Sequence, residues 1–421
     1  MKIKEIRLSY GEAKQLEKKK HRRPRKPFFL IGALVRLLSL PTLWKTKFSF
    51  DASGLKRAGK GPYLILMNHS SFTDMKLAYR IFYPRHPFSI VCTTDAFIGK
   101  SWLLRLMGCI PTQKFVTDVS LVLDLVHAVK ANGVSVLLYP EAGYSLDGTA
   151  TVLPKKFGQL VKKLEVPVLM VKTEGAFLRD PLYNALQLRD VRVSAKVDCL
   201  FTKDELSSAS VEEIDRVVGD AFTFDAWREQ EAAGTLVTEA HRADFLHRVL
   251  YRCPACKAED KTEGRGTTLT CHACSKVYRL EENGTLTSDG GAEFSYVSDW
   301  FAWQRECVKQ ELLKGGYKRQ WRVDIALVRD HKGLYRLGEG TLTQTDEGLR
   351  LVSDDGELDY TQSAKSSYSL NVDYHWYEIG DVIGLGTRKE LYYCFPKDRS
   401  ESGVTKARLV AEELYKLKTE A

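Results

Sequence analysis

Short apolar runs fenced by turn-forming residues constrain this chain more than any other feature. Tyr63-Leu64-Ile65-Leu66-Met67 follows Gly61-Pro62, and similar runs occupy Pro87 to Thr93, Val134 to Tyr139 and Val166 to Val171. Strands buried on both faces read this way, and they belong to parallel sheets covered by helices. The stretches between them carry helical periodicity. Thr73 to Tyr83 is one, and Asp95 to Met107 is a second, with Asp95 as its cap. Asp118 to Ala131 places Leu121, Leu125, Val126 and Val129 on one face, and Lys155 to Leu164 follows. Alternation of this kind predicts an α/β fold with a largely parallel sheet flanked by helices. An antiparallel strand is expected at Val191 to Leu200, and helix from Leu206 to Gln230.

Chemistry in open α/β sheets gathers at the carboxyl ends of the strands. There the chain reads Asn68-His69-Ser70-Ser71-Phe72-Thr73-Asp74. On one continuous helix, positions i and i+5 would point about 140° apart. With His69 in the turn and Asp74 in the first helical turn, the two side chains can meet, and Ser70 or Ser71 can cap the helix. A carboxylate on one ring nitrogen fixes the tautomer and frees the other nitrogen to take a proton. The pair therefore reads as a general base with its orienting partner, although His and Asp at this separation also arise by chance. The run Val134 to Tyr139 ends in a second polar turn, Pro140-Glu141-Ala142-Gly143-Tyr144-Ser145.

The ordered set resembles the glycerolipid acyltransferases, typified by 1-acylglycerol-3-phosphate acyltransferase. The matching blocks are Asn68 to Asp74, Gly108-Cys109-Ile110-Pro111-Thr112-Gln113-Lys114, Tyr139 to Ser145 and Val166-Pro167-Val168, so the resemblance covers roughly residues 28 to 210. It implies transfer of a fatty acyl group from acyl-CoA or acyl-ACP (acyl-carrier protein) to a glycerolipid hydroxyl, in phospholipid biosynthesis. His69 and Asp74 would be catalytic. Asn68, Lys114, Glu141, Gly143, Tyr144 and Ser145 would line the substrate site, although Glu141 reads equally well as a carboxylate that orders its loop. The implied acceptor is a lysophospholipid, above all 1-acyl-sn-glycerol-3-phosphate, or a glycerol phosphate. The chain departs from the family at one informative place. Ala142-Gly143-Tyr144 stands where the family has Gly-Thr-Arg, and Tyr144 cannot supply the charge of that Arg. Lys114 offers only a point charge. An acceptor without phosphate, or a weakened homologue that binds lipid or scaffolds other enzymes, are the alternatives this departure supports.

The net charge of +9 is unevenly spread. Lys18 to Lys26 is the densest basic run, and the apolar segment Phe28 to Leu40 follows directly. That segment is shorter than the roughly 20 residues a membrane span requires, and Arg36 interrupts it. A basic run beside an apolar, aromatic-containing helix reads as an anchor in the interface of an anionic membrane. A core helix behind a solvated tail is the plainer reading. The expectation is peripheral attachment at the cytoplasmic face, in a pattern that suits a bacterium.

Cys253-Pro254-Ala255-Cys256 and Cys271-His272-Ala273-Cys274 are separated by 14 residues. Paired Cys-x-x-Cys at this distance is the spacing of a zinc ribbon, in which Cys253, Cys256, Cys271 and Cys274 close a structural Zn²⁺ site. His272 is not expected to be a ligand. Thr267 to Thr270 and Val277 to Leu280 suit its hairpin strands. Mixed charge around the knuckles argues against nucleic acid as a partner, and the other five cysteines read as buried thiols.

Ser295 to Leu313 reads as a helix in which Trp300, Phe301 and Trp303 are core or interfacial. Beyond it, Trp321 to Val328, Gly333 to Leu337, Gly340 to Thr345, Gly348 to Val352, Tyr368 to Val372 and Leu391 to Phe395 read as strands. A terminal amphipathic helix, Val404 to Lys418, follows. This pattern is similar to the pleckstrin-homology superfold. The expected organisation is therefore a basic tail and interfacial helix over 1–50, a catalytic domain over 51–235 and a zinc ribbon over 245–285. A connecting helix over 290–317 and a strand-rich, PH-like domain over 318–421 complete it.

Overall fold

The computed structural model describes residues 3–17, 20–116, 118–387, 390–398 and 403–419. A short strand, β1 (Glu5–Arg7), precedes a seven-stranded sheet. That sheet contains β2 (Ser49–Asp51), β3 (Leu64–Met67), β4 (Phe88–Thr93), β5 (Ile110–Thr112), β6 (Ser135–Leu138), β7 (Val168–Glu174) and β8 (Ser194–Phe201), in the order β2-β8-β7-β3-β6-β4-β5. Its pairings are parallel apart from β7 with β8, so the sheet is mixed. The central strand β3 is buried throughout. Ile65 and Met67 pack on one side with Leu77 and Ala78 of helix Asp74–Phe82. Leu64 and Leu66 pack on the other with Leu125, Val161 and Ile214. Successive strand residues face opposite ways, so an unbroken apolar run is what two covered faces require.

Several helices differ from expectation. Asp95 to Met107 is not one helix; a 3₁₀ turn, Thr94–Phe97, and a helix, Ser101–Leu106, are separated at Gly99 (φ 74°). Left-handed backbone ends a helix, and glycine adopts it without strain. Asp95 is buried inside that turn and is not its cap. The stretch 206–230 divides into Lys203–Ser208, Val211–Ala221 and Ala226–Ala232. Thr202, Ser210 and Asp225 each accept backbone N–H bonds at a new helix start, so three caps replace one long helix.

A four-stranded antiparallel sheet follows: β9 (Thr262–Arg265), β10 (Thr268–Cys271), β11 (Val277–Leu280) and β12 (Leu286–Ser288). It packs on helix Val297–Leu313, where Trp300 and Phe301 are core residues. The Trp300 indole donates to the Arg252 carbonyl at 2.8 Å and meets the Tyr278 ring edge-on.

The C-terminal strand-rich domain is built from β13 (Lys318–Val328), β14 (Leu334–Thr345), β15 (Gly348–Ser353), β16 (Asp359–Ser363), β17 (Asn371–Trp376), β18 (Gly380–Thr387) and β19 (Glu390–Pro396). They run antiparallel in the order β16-β15-β14-β13-β19-β18-β17, and β1 adds to β14 in parallel. Helix Gly403–Thr419 closes the domain with Val404, Ala407, Val410 and Leu414. The two strands expected at 333–345 are the single strand β14. Its glycines bend it at a register shift opposite Ile325 and Ala326 without ending it.

Helix Phe29–Lys45 lies against helix Asp74–Phe82, with Gly32 so close to the Tyr83 ring that a Cβ would come within 2.5 Å. Its opposite face is bare: Leu30, Leu34, Leu37, Leu38 and Trp44 are all exposed. No helix among the described residues is long and apolar enough to cross a membrane. Lys18 and Lys19 of the basic run lie outside the described residues.

Candidate active site

The carboxyl ends of β3 and β6 bring together the two turns singled out in the sequence. His69 leaves β3, and Asp74 opens the following helix. The His69 ring Nδ1 lies 2.9 Å from Asp74 Oδ2. The same oxygen accepts the backbone N–H groups of Ser70 (2.9 Å) and Ser71 (3.1 Å), while Asp74 Oδ1 is buried without a hydrogen-bond partner among the described residues. Here the capping relation is the reverse of expectation. Neither serine caps the helix through its side chain; the Asp74 carboxylate ties down the loop that carries His69, and Ser71 Oγ accepts the Thr73 N–H and bonds the Thr73 hydroxyl at 2.7 Å.

The imidazole is held on both faces. Tyr139 stacks on it at 4.1 Å between ring centroids and Tyr144 at 3.8 Å, with Phe72 a further 4.9 Å beyond Tyr144. The His69 side chain keeps 19% of its surface exposed. Burial, reinforced by the nearby Lys114 charge, keeps the imidazole neutral by lowering its pKa to about 3. Burial pushes Asp74 up to about 8, against the two N–H bonds that favour its anion.

The remaining predicted residues divide by what they touch. Asn68 is fully buried, and its Oδ1 accepts the Thr173 N–H at 2.9 Å, joining the ends of β3 and β7. Glu141 is buried beneath the loop. One oxygen accepts the His69 N–H at 2.9 Å, and the other accepts Thr151 N–H and Oγ1 at 3.0 and 3.2 Å. Burial raises its pKa to about 7. Ser145 N–H donates to the His69 carbonyl at 3.0 Å, and its hydroxyl donates to Thr149 O. These three residues order the turns. Lys114 is half-buried and close enough to act on His69. A Cβ at Gly143 would stand in van der Waals contact with the Phe115 ring at 3.6 Å and the Arg408 guanidinium at 3.9 Å.

Sequence reasoning missed the contribution of the C-terminal domain. Arg408 donates to the Tyr144 carbonyl at 3.4 Å and is paired with Glu412 at 2.9 Å. Asp373 and Tyr377 lie close enough to Tyr144 for their charges to raise its pKa, after burial and Asp74. Nothing in the local sequence of residues 373–408 advertises this.

Residues 49–172 match the Acyltransferase family model. The matched segment runs from β2 into β7 and contains both turns, His69, Asp74 and Glu141. Among solved structures, the 1-acyl-sn-glycerophosphate (LPA) acyltransferase PlsC from Thermotoga maritima aligns at 18% identity with a TM-score of 0.35, covering 45% of this chain and 76% of that one. No curated protein matches the chain.

Outside the acyltransferase segment, Cys253, Cys256, Cys271 and Cys274 bring their four sulfurs within 4.8 Å of one another, a set that could hold a metal ion. Cys253 and Cys274 sulfurs are 3.8 Å apart, and those of Cys256 and Cys271 3.7 Å. Left-handed Lys257 and Ser275 close equivalent turns after each pair. His272 faces away and pairs with Glu263 at 2.9 Å.

Proposed function

We propose that this protein transfers a fatty acyl group from an acyl thioester, acyl-CoA or acyl-ACP, to a hydroxyl of a glycerolipid. The observation that carries the reading is the His69–Asp74 pair, held at the carboxyl end of the central strand β3 inside the acyltransferase segment. His69 Nε2 takes the proton of the acceptor hydroxyl as the oxygen attacks the thioester carbonyl. Asp74 holds Nδ1–H and stabilises the imidazolium. The tetrahedral intermediate collapses with loss of the C–S bond, and the proton passes from Nε2 to the leaving thiolate, giving ester and free thiol. Backbone N–H groups at the two turns are the natural donors to the oxyanion. Glu141 and Ser145 act as positioning residues, because both bond the His69 backbone.

The acceptor is a lysophospholipid or glycerol phosphate, with Lys114 as the cation whose charge acts on the base. Supplying purified protein with labelled acyl-CoA, then acyl-ACP, and a panel of lyso-lipids tests this: an esterified product supports it. No product from any pairing would favour instead a lipid-binding scaffold, a reading that draws on Tyr144 lying over the base.

Docking on an anionic membrane surface belongs to the same proposal. Leu30, Leu34, Leu37, Leu38 and Trp44 form an apolar face, and Trp102, Val119 and Leu123 are exposed on the helices against which the basic segment packs. In that segment the Arg22 and Arg23 carbonyls accept from Arg105, and His21 pairs with Asp124. Apolar faces of this kind mark binding surfaces, and the flanking arginines suit anionic lipid. The four cysteines are proposed to bind structural Zn²⁺. A tetrahedron with Zn–S of about 2.3 Å has S···S edges of about 3.8 Å, which the two closest pairs approach. The strand order of the C-terminal domain, with one terminal helix, supports the PH-like reading.

A further inference from the structure

The C-terminal domain grips the acyltransferase segment on both sides of Lys114. On one side, Gly99 N–H donates to the His331 carbonyl at 2.9 Å, and the His331 ring lies 5.0 Å from that of Phe97. On the other, Ser367 Oγ donates to the Phe115 carbonyl at 2.8 Å, and the Tyr368 ring meets Phe115 edge-on. Arg408 completes the hold at the Tyr144 carbonyl.

Between these anchors runs β17, whose ladder with β18 shifts register between Asp373 and Trp376. His375, Tyr377 and Glu378 there adopt left-handed backbone, with φ of 52°, 47° and 66°. Bulges and left-handed non-glycine residues are kept where a side chain must be re-aimed, commonly beside functional sites. Asp373 at this bulge is 8% exposed, and its Oδ1 has no hydrogen-bond partner among the described residues. Its charge acts on Tyr144, which covers His69, and the Lys114 ammonium lies near enough to oppose its desolvation.

We propose that the β17 bulge forms one wall of the acceptor site, where Asp373 accepts a hydrogen bond from a hydroxyl or ammonium group on the acceptor's head group. The inference rests on the acyl-transfer reading and specifies its acceptor class. Of the cations here, Arg408 is already paired with Glu412 and Lys114 acts on His69 and Asp373, while Asp74, Asp95, Asp180 and Asp373 each have a buried carboxyl oxygen without a hydrogen-bond partner among the described residues. A phosphate monoester would bring up to two negative charges to this surface with one ammonium to meet them. A phosphodiester brings one charge, which Lys114 can meet, and a donor-bearing head group satisfies Asp373. A buried acceptor atom left unpaired carries a desolvation penalty that a bound donor relieves. Bond making and proton transfer at the glycerol hydroxyl are unchanged.

The test is a comparison of kcat/KM for lysophosphatidic acid, lysophosphatidylethanolamine and lysophosphatidylglycerol, with wild type and Asp373→Asn, melting temperature serving as the folding control. Wild type should favour one or both phosphodiesters by about tenfold or more. Asp373→Asn should reduce that preference about tenfold, mainly through KM. Loss confined to the ethanolamine lipid assigns an ammonium, and loss confined to the glycerol lipid a hydroxyl. A wild-type preference for lysophosphatidic acid would overturn the inference while leaving acyl transfer standing. So would an unmoved ratio in folded Asp373→Asn. Absence of transfer to every acceptor would remove both.

Discussion

One carboxylate oxygen, Asp74 Oδ2, gathers three donors: two backbone N–H groups and the His69 ring. The loop and the base are therefore held by the same atom. The pair titrates as a unit, and its base-competent form has an ionised Asp74 beside a neutral imidazole. Burial raises the Asp74 pKa to about 8, so folding favours its protonated form and the active form accumulates as pH rises. We expect kcat/KM to climb through about pH 8, a limb that Asp74→Asn should abolish. A profile already flat above pH 6 would contradict this. At this scale the sequence was legible where chemistry imposed spacing, as at His69, Asp74 and the four cysteines. The stacking of Tyr139 and Tyr144 on the imidazole was not, because a ring's partner depends on how two separate turns approach each other.

Helix Phe29–Lys45 is the element whose burial least matches its composition. Gly32, Ser39 and Leu43 face the protein, while leucines and a tryptophan face outward. Replacing Leu34, Leu37 and Leu38 by Glu should abolish flotation with anionic vesicles, with little change in folding because these side chains are exposed. Unchanged flotation would move the membrane contact elsewhere. Among elements, the buried strands β3, β4, β6 and β7 were readable because two covered faces demand apolar runs. Strands β16 and β18 were not: β16 (Asp359–Ser363) alternates exposed and half-buried polar residues, and β18 opens on Gly380. The 95–107 region was misread because apolar periodicity continues across Gly99 while the backbone does not.

The three sheets are joined by ion pairs and helices that the sequence could not order. Lys406 of the last helix bonds Glu259 beside the cysteine knuckles at 2.8 Å, and Arg319 of β13 bonds Asp260 at 2.7 Å. Arg228 links the end of the first domain to Asp299 at 3.0 Å. The cysteine cluster thus stands at the junction. Metal analysis should find one zinc per chain, and chelation should lower the melting temperature by more than about 5 °C, since a loss of 1 kcal/mol shifts it by about 2–4 °C in domains of 150–250 residues. Zinc-free protein with an unchanged transition would end the structural-metal reading. The central claim is that His69 is the base for acyl transfer, and its most direct test is turnover of labelled acyl-CoA and lyso-lipid by wild type and by His69→Ala of matched melting temperature. The account predicts a fall of about 10² or more in the variant. Activity retained in folded His69→Ala would contradict it.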